Sequence, residues 1–349
     1  MGGAAQHDDI LFERRGAAGI VTLNRPHALN AVTHAMVRAL AAQLAAWADD
    51  AAVTRVILRA AGDRAFCAGG DIRALYELGT TGCHAEARAF WREEYLLDAA
   101  IRGYAKPYIS LIDGIVMGGG VGLSVNGAWR VAGDRFQFAM PEVGIGFFPD
   151  VGATYILPRM PGELGAWCAL TGDRIRASDA VASTIATHRV ASARFAELTE
   201  ALCAGEAVEA TLAAFAAPPE PSRLPRAAID DLFRGESVEA ILARLDAAQG
   251  ADAAFAQAAA AAIRTKSPTS LRLALAQVRR GRAWSFRDCL RAEFRIASRI
   301  VYGHDFYEGV RALIIDKDNA PRWQPASLAG VSDAEVERHF APLADELPL

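Results

Sequence analysis

Two carboxylates stand eight residues apart in one strongly apolar segment, FAMPEVGIGFFPDVGATYILPRM. They are Glu142 and Asp150, and both are surrounded by glycine, proline and large apolar residues. Burial raises a carboxyl pKa because it penalises the charged form, which suits the group to proton transfer or to attack on an activated carbonyl. Two ordinary roles compete with this hypothesis: Asp150 as the cap of a helix over VGATYIL, and Glu142 as a solvent-facing loop acid.

A third candidate acid, Glu94, lies in the segment AFWREEYLLDAAI, which has the pattern of an amphipathic helix. Its neighbour Glu93 cannot share its helix face, since only residues three or four apart do so. Composition alone favours a solvated helix acid at Glu94, because glutamate is rarely buried.

Two glycine-rich turns are candidate sources of main-chain donors. The first is FCAGGDIRALYE, from Phe66 to Glu77, and the second is DGIVMGGGVGLSVNGAW, from Asp113 to Trp129. In each, glycines lie between a predicted strand and the start of a predicted helix, where free N–H groups can bind an anion or a developing oxyanion. The alternatives are a tight turn with Asp71 as helix N-cap in the first segment, and close helix–strand packing in the second.

The second turn matches none of the common phosphate or nucleophile motifs. No GK[ST] follows the glycines, and the GxGxxG spacing of a dinucleotide site is missing. The stretch from Gly122 to Asn126 lacks the closing glycine of a serine-hydrolase elbow, so Ser124 is interpreted as an ordinary helix residue. The seven histidines include no HxxxH pair, and we expect no metal site.

The elements that position these residues follow from apolar patterning. Short β-branched stretches bounded by turn residues predict buried strands at 19–24, 55–60 and 107–113. Apolar residues at helical spacing between the first two predict a helix with Thr33 as its N-cap. Strands that alternate with helices indicate an α/β core.

This pattern divides the chain into two regions. We predict an α/β core at residues 1–200 and a helical C-terminal region at residues 201–349. A linker rich in proline and polar residues is expected near 216–226, AAPPEPSRLPR.

Composition limits the classes of function. The 349 residues are 52% hydrophobic with a formal net charge of −4, which argues against nucleic acid as the main partner. No apolar run of about 18 residues lacks a charge or a Gly/Pro break, so we expect no membrane span. Five cysteines without CxxC spacing indicate free thiols in a reducing compartment. Residues 1–15 have no apolar signal core, so we expect neither a secretory signal nor a transit peptide and predict a cytoplasmic protein.

The order of the motifs resembles that of the enoyl-CoA hydratase/isomerase (crotonase) superfamily. LNRPHALNAV, FCAGGDI, KPYISLIDGIVMGGGVGLS and MPEVGIGFFPDVGATYILPR carry the resemblance over residues 10–200, and YGHDFYEGVRALIIDKDNAPRWQP resumes it. The resemblance implies a spiral of ββα repeats with a helical C-terminal region, and an acyl-CoA substrate. Coenzyme A is then part of the substrate and no separate cofactor is expected. A homo-oligomer, trimer or hexamer, is what the family implies for assembly.

The resemblance also assigns roles to residues. By motif position, the backbone amides of Gly70 and Gly119 would stabilise the thioester oxyanion, with Glu142 and Asp150 as the catalytic acids. Glu94 would lie near the acyl end. The other residues expected to bind the substrate are Arg25, His27, Ala28, Ala68, Gly69, Asp71, Ile72 and Met117.

Three residues are candidates for contact with the phosphates of coenzyme A. Family members often carry lysine at the position of His27, and histidine is mostly neutral at pH 7. Arg25 is the alternative cation, although an arginine there is equally compatible with a structural role. Lys317 is a further candidate with a surface role as its alternative, and the segment 304–318 is expected to cover the pocket.

Departures from the hydratase pattern select a branch. Hydratases resemble GGGCEL at the second glycine cluster, whereas this chain has Gly122, which cannot transfer a proton. Glu142 is retained, and Asp150 replaces the glycine that hydratases carry after the following proline. This combination, with FWREEY, resembles the 3-hydroxyisobutyryl-CoA hydrolase branch and implies hydrolysis of a short β-hydroxyacyl-CoA in valine breakdown. The alternatives are a hydratase or isomerase on another acyl-CoA, and an inactive acyl-CoA-binding homologue.

Overall fold

Ten strands form two sheets in the computed structural model, which describes residues 8–349. One sheet has six strands in the order β1-β2-β3-β5-β7-β10, and the other has four in the order β4-β6-β8-β9. The strands are β1 (Ile10–Arg15), β2 (Ala18–Leu23), β3 (Arg55–Ala60), β4 (Ala65–Cys67), β5 (Tyr108–Ile112), β6 (Ile115–Met117), β7 (Trp129–Ala132), β8 (Gln137–Ala139), β9 (Ile175–Arg176) and β10 (His188–Arg189).

From β3 to β8, successive strands belong alternately to the two sheets. β3, β5 and β7 join the six-stranded sheet, and each is followed by a strand of the four-stranded sheet, β4, β6 or β8. β2, β3, β5 and β7 run parallel, while β1 is antiparallel to β2. This is the spiral of repeats that the resemblance implies, and it confirms the predicted α/β class.

The central strands of the six-stranded sheet, β2, β3 and β5, are buried because they are largely apolar, as is typical of parallel strands covered on both faces, whereas β1 is only partly buried. Gly19 lets the strand lie directly on a tryptophan, since a Cβ there would meet the Trp47 ring at 2.7 Å. A cluster of buried side chains forms the core beside this sheet: Ala18, Ile20, Ile57, Ile109, Leu111, Val131, Val190, Leu198, Leu202, Cys203, Val208 and Leu212.

Fifteen α-helices are present in the described residues. The Thr33 hydroxyl accepts a hydrogen bond from the Met36 amide at 3.2 Å, which confirms the predicted N-cap of the first helix. The helices are α1 (His34–Asp49), α2 (Ile72–Thr80), α3 (His84–Arg102), α4 (Gly119–Val125), α5 (Ala153–Ile156), α6 (Leu164–Thr171), α7 (Phe195–Cys203), α8 (Val208–Phe215), α9 (Arg226–Leu232), α10 (Val238–Ala247), α11 (Ala253–Arg264), α12 (Pro268–Arg280), α13 (Phe286–Ile300), α14 (His304–Val310) and α15 (Asp333–Phe340).

The C-terminal region is helical, as predicted, and residues 216–225 between α8 and α9 contain neither helix nor strand. The chain forms two compact units that are interleaved along the sequence. The first unit comprises residues up to Asp71, Leu96–Phe138 and Ile175–Arg223; the second comprises Ile72–Tyr95, Ala139–Arg174 and Leu224–Leu349. The division predicted at residue 200 stays a prediction.

Three further sequence predictions concern the chain as a whole. The five cysteines, all within the described residues, form no disulfide with one another, as predicted, and four of them are buried. Across residues 8–349, no helix combines the length and the apolar character that crossing a bilayer would require. The prediction about an N-terminal signal falls partly on residues 1–7, which lie outside the described residues.

Candidate active site

The two glycine-rich turns lie at one edge of the four-stranded sheet, in the first unit. β4 and β6 run parallel, with Cys67 opposite Val116 and an irregularity in β4 between Ala65 and Cys67. Parallel neighbours end at the same edge, so the residues that follow each strand emerge side by side. The turns containing Gly70 and Gly119 are therefore neighbours.

Close backbone contact explains the need for glycine in these turns. A Cβ on Gly120 would lie 2.5 Å from the Cys67 carbonyl oxygen, far closer than side-chain atoms approach. Gly69 has a φ of +118°, which disfavours any L side chain, and a Cβ there would lie 3.7 Å from the Met117 carbonyl oxygen. The packing alternative for the second cluster therefore holds at Gly120 and does not conflict with a donor role for Gly119.

The orientation of the backbone fits the predicted donors. Val32 forms a parallel bridge with Gly70, in which its amide binds the Gly69 carbonyl and its carbonyl accepts from the Asp71 amide, both at 2.9 Å. In such a bridge the amide of the central residue, Gly70, points away from the partner strand. Gly119 is the first residue of α4, where amides have no acceptor within the helix.

Arg25 is engaged with protein groups of the first unit. Its guanidinium donates to the Ala31 carbonyl at 2.7 Å and lies 3.2 Å from the Asp71 carboxylate and 3.3 Å from that of Asp9. These contacts support the structural role that the sequence left open. His27 is exposed on a short 3₁₀ turn, Pro26–Ala28, and is accessible to solvent.

The candidate acids lie together in the second unit, where Asp150 is the central member. It is 5% exposed, and the Tyr95 hydroxyl donates to its Oδ2 at 2.7 Å. Burial raises the pKa of Asp150 to about 7, against the opposing effect of the Tyr95 hydrogen bond, which favours the charged form. Asp150 therefore changes charge near neutral pH, where a general base or acid is most effective.

Glu94 and Glu142 are buried beside Asp150. They are 2% and 7% exposed, and Oε1 of Glu94 and Oε2 of Glu142 have no hydrogen-bond partner among the described residues. Burial raises the pKa of both well above the ordinary value, and the negative charge of Asp150 raises it further. The solvated alternatives for Glu94 and Glu142 are therefore wrong.

Aromatic rings pack against one another on the helix and the loop that carry Glu94 and Glu142. Trp91, one helical turn before Glu94 on α3, stacks on Phe147 with ring centroids 5.3 Å apart. Phe147 also contacts Phe148 and Phe306, at 4.5 and 5.5 Å. Aromatic rings offer little polar solvation in place of water, and this disfavours ionised carboxyl groups.

Asp150 does not cap the following helix, contrary to the ordinary alternative. The free amides at the start of α5 are bound instead by Glu293 of α13, whose carboxylate accepts from Gly152 and Thr154, each at 2.8 Å. Burial raises the pKa of Glu293 to about 8, although these amide hydrogen bonds favour its charged form. The Asp150 side chain remains available for other contacts.

Sequence reasoning missed both Tyr95 and Glu293. Tyr95 follows Glu94 directly in FWREEY, and its spacing of four from Trp91 places both on the buried face of α3. Glu293 stands between Ala292 and Phe294 on the apolar face of α13, and an acid at such a position was the available signal.

The predicted covering segment packs on the loop that carries Glu142. α14 approaches so closely that a Cβ on Gly146 would lie 2.1 Å from the Asp305 carbonyl oxygen. The Asp305 carboxylate accepts from the Ser267 hydroxyl at 2.6 Å and from the Gln324 amide at 2.7 Å, which ties α14 to α12 and to the chain beyond it. Lys317 is exposed, so nothing in its surroundings distinguishes it from a surface lysine.

Within residues 8–349, no group of three or more His, Cys, Asp or Glu side chains is arranged to hold a metal ion. The chemistry available here consists of main-chain donors in the first unit and buried acids in the second. Such groups serve oxyanion stabilisation and proton transfer at a carbonyl.

The fold and these residues define a class of enzyme. Residues 18–340 match the family model described as enoyl-CoA hydratase/isomerase, and the chain belongs to that family. Among curated relatives, the 3-hydroxyisobutyryl-CoA hydrolase, mitochondrial, of Danio rerio is 44% identical over 96% of this chain and 90% of its own length.

Two solved structures share the whole fold. One, titled a carnitinyl-CoA dehydratase from Mycobacterium thermoresistibile, is 45% identical with a TM-score of 0.92 and covers 98% of both chains. The other, titled an enoyl-CoA hydratase from Rhodobacter sphaeroides 2.4.1, is 39% identical with a TM-score of 0.90 over 98% of this chain and all of its own. Their titles name a dehydratase and a hydratase, whereas the curated relative is named a hydrolase. The choice between these reactions therefore depends on the residues of the site.

The prediction of a cytoplasmic location is wrong by this comparison, because the curated relative is named a mitochondrial protein. The prediction relied on cysteine usage and the N-terminal composition. Reduced thiols are compatible with more than one reducing compartment, so cysteine usage could not distinguish between them.

Proposed function

We propose that this chain hydrolyses 3-hydroxyisobutyryl-CoA to 3-hydroxyisobutyrate and coenzyme A. The observation that carries the proposal is that Glu142 and Asp150 are both buried, while Gly122 occupies the position at which hydratases of the family have a glutamate. One acid pair without that glutamate suits hydrolysis of a thioester rather than addition of water to a double bond. The curated relative at 44% identity supports the same reaction.

In the proposed reaction, the amides of Gly70 and Gly119 hold the thioester oxygen as it becomes negative. Removal of one such donor typically costs about 3 kcal/mol of transition-state stabilisation, so two donors supply a large share of the rate. The proposal requires a single thioester to meet both amides and the carboxylate of Glu142. It needs no separate cofactor, because coenzyme A arrives as part of the substrate.

Glu142 acts at the carbonyl carbon by one of two routes. As a base, it removes a proton from water while the water oxygen bonds to carbon, and the thiolate of coenzyme A leaves with a proton. As a nucleophile, its oxygen bonds to carbon, the C–S bond breaks, and water then cleaves the mixed anhydride. Asp150, which titrates near neutral pH, transfers the proton to or from water and the leaving group.

A single turnover in oxygen-18 water separates the routes. Label found in the Glu142 side chain by peptide mass spectrometry identifies the anhydride, since water attacks the enzyme carbonyl. Label found only in the released hydroxy acid supports activation of water by Glu142.

A hydratase or dehydratase is the second candidate, and the titles of the two solved structures favour it. Gly122 opposes it, because glycine has no group that transfers a proton. The purified protein is incubated separately with crotonyl-CoA and 3-hydroxyisobutyryl-CoA, and free thiol and the double bond are both followed. Thiol release from the second substrate alone supports hydrolysis; loss of the crotonyl double bond without thiol supports the rival reaction.

A binding protein without activity is the remaining alternative. It would bind coenzyme A thioesters and turn over none of a panel of short acyl chains, with and without a β-hydroxyl group. The same panel tests which acyl group is preferred. 3-Hydroxypropionyl-CoA differs from the proposed substrate by one methyl group, and a pocket distinguishes two such substrates by only about 1–3 kcal/mol in transition-state binding, so both must be assayed.

A further inference from the structure

The turn that carries Asp150 has a strained backbone. Val151 has a φ of +54° and Gly152 a φ of +93°, two consecutive left-handed residues. A β-branched side chain is a genuine outlier at positive φ, and such conformations persist only where the surroundings enforce them. The strain therefore points to groups that hold this turn.

Glu293 is the first such group. It is fully buried, and its two carboxylate oxygens accept from the amides of Gly152 and Thr154 at 2.8 Å each. These amides lie directly after the strained residue. One side chain from a distant helix thus fixes both ends of the turn that leads from Asp150 into α5.

Gln277 of α12 is the second. Its Nε2 donates to the Pro149 carbonyl at 3.1 Å and to the Thr154 hydroxyl at 2.7 Å, and the side chain is 2% exposed. Gln277 therefore forms hydrogen bonds both with the residue before Asp150 and with the start of α5. A purely structural cap of α5 would not require a contact with Pro149.

We propose that Glu293 and Gln277 are positioning residues, which form a clamp that holds Asp150 in its reactive orientation through the strained Val151. The inference rests on the proposed function for Asp150. Neither residue contacts the reacting atoms; they act through the backbone on either side of the carboxylate. In this proposal, loss of either residue lets Val151 relax toward an ordinary φ, which would turn Asp150 away from Tyr95.

The first test compares Glu293→Gln with Gln277→Met. In Glu293→Gln, the side-chain N–H₂ replaces one of the two oxygens that accept from the Gly152 and Thr154 amides. In Gln277→Met, the methionine fills about the same volume as glutamine but has no hydrogen-bond donor. Each variant is expected to lose about 10- to 100-fold in kcat with KM within about 2-fold, as misplacement of a catalytic group predicts. An unchanged kcat for the folded fraction of both variants would overturn the clamp.

The pH profile separates position from charge. If Glu293 acted only through its charge, Glu293→Gln would shift the pH–rate profile while the uncharged Gln277→Met kept full activity, and that pattern contradicts the proposal. The clamp predicts lower rates in both variants across the whole pH range, with the profile of Gln277→Met unshifted.

A rescue experiment tests the strain itself. Glycine accepts the φ of Val151 without cost, whereas alanine retains a Cβ that opposes it. The double variant Glu293→Gln/Val151→Gly should recover several-fold in kcat over Glu293→Gln, and the matched Glu293→Gln/Val151→Ala should recover less. Equal kcat values in the two double variants would show that backbone strain is not involved.

A measurement without substrate keeps the clamp testable if the proposed function fails. Hydrogen exchange at the Gly152 and Thr154 amides should be slow in the wild type and about 10-fold or more faster in Glu293→Gln. Wild-type protein that releases no thiol from 3-hydroxyisobutyryl-CoA refutes the proposed function alone. Exchange that is equally fast in wild type and variant refutes the clamp alone.

Discussion

The hydroxyl of Tyr95 donates to Oδ2 of Asp150 at 2.7 Å, and both side chains are buried. A donor to the charged form stabilises the carboxylate, so this contact opposes the rise in pKa that burial causes. Burial and this hydrogen bond, acting in opposite directions, together determine the pH at which Asp150 ionises.

Tyr95→Phe is therefore expected to raise the pKa of Asp150 above about 7. The acid limb of the pH–rate profile moves to higher pH, with reduced activity at pH 7 and recovery toward the wild-type rate near pH 9. Tyr104→Phe is the matched control, since Tyr104 donates to the Leu44 carbonyl in the other unit. A profile of Tyr95→Phe that coincides with that of Tyr104→Phe would contradict the assigned role.

Glu142→Gln should reduce thiol release by about 100-fold or more, the typical contribution of a general base. The fold should be kept, because burial raises the pKa of Glu142 and the amide imitates its neutral form. Steady-state kinetics and thermal denaturation measure the two effects separately. Near wild-type turnover in this variant would remove Glu142 from the mechanism.

The buried acids should make stability depend on pH in a defined direction. Asp150 and Glu293 have folded pKa values of about 7 and about 8, above their ordinary values of 3.8 and 4.5. The folded state therefore binds their protons more tightly, and the resulting stability is complete below pH 4 and is lost as the pH rises through about 8. Urea denaturation at pH 5, 7 and 9 should show falling stability.

Asp150→Asn removes one of the two groups and is the control for this behaviour. Its free energy of unfolding should fall less steeply between pH 5 and 7 than that of the wild type. Identical slopes in the two proteins would show that folded Asp150 does not retain its proton in this range, so that its pKa is not raised by folding.

Gly146→Ala should displace α14 from the loop that carries Glu142. Gly250→Ala is the matched control, because Gly250 has a φ of +67° against +69° for Gly146, yet a Cβ there meets nothing within 4 Å. Both variants carry the cost of a left-handed alanine, about 1–2 kcal/mol. Only Gly146→Ala also clashes with the Asp305 backbone, so it alone should lose substantially more stability and thioesterase activity.

Local patterns in the sequence predicted most of the elements correctly. The strand predicted at 55–60 coincides with β3, and Thr33 caps α1. Each depends on neighbouring residues only: β-branched composition in the first case and the first turn of a helix in the second. The glycine turns were found for the same reason, because the glycines needed for close contact are adjacent in the chain.

Contacts between distant residues could not be predicted in this way. Tyr95 and Asp150 are 55 positions apart, and Glu293 binds Gly152 across 141 positions. No periodicity relates residues at such separations. The sequence therefore predicted neither the hydrogen bond from Tyr95 to Asp150 nor the contact of Glu293 with the start of α5. The same holds for Arg25, whose partner Asp71 lies 46 positions away.

The parallel pairing of β4 with β6 restricts where this chain tolerates changes in length. One residue added within either strand would advance the amide that follows by about 3.3 Å, more than a hydrogen bond can absorb. Residues 62 and 63, exposed before β4, precede the first hydrogen bond between these strands, which runs from the Ile115 amide to the Arg64 carbonyl at 3.3 Å. An insertion at residues 62–63 is thus expected to leave the Gly70 amide in place, whereas an insertion within β4 is expected to move it.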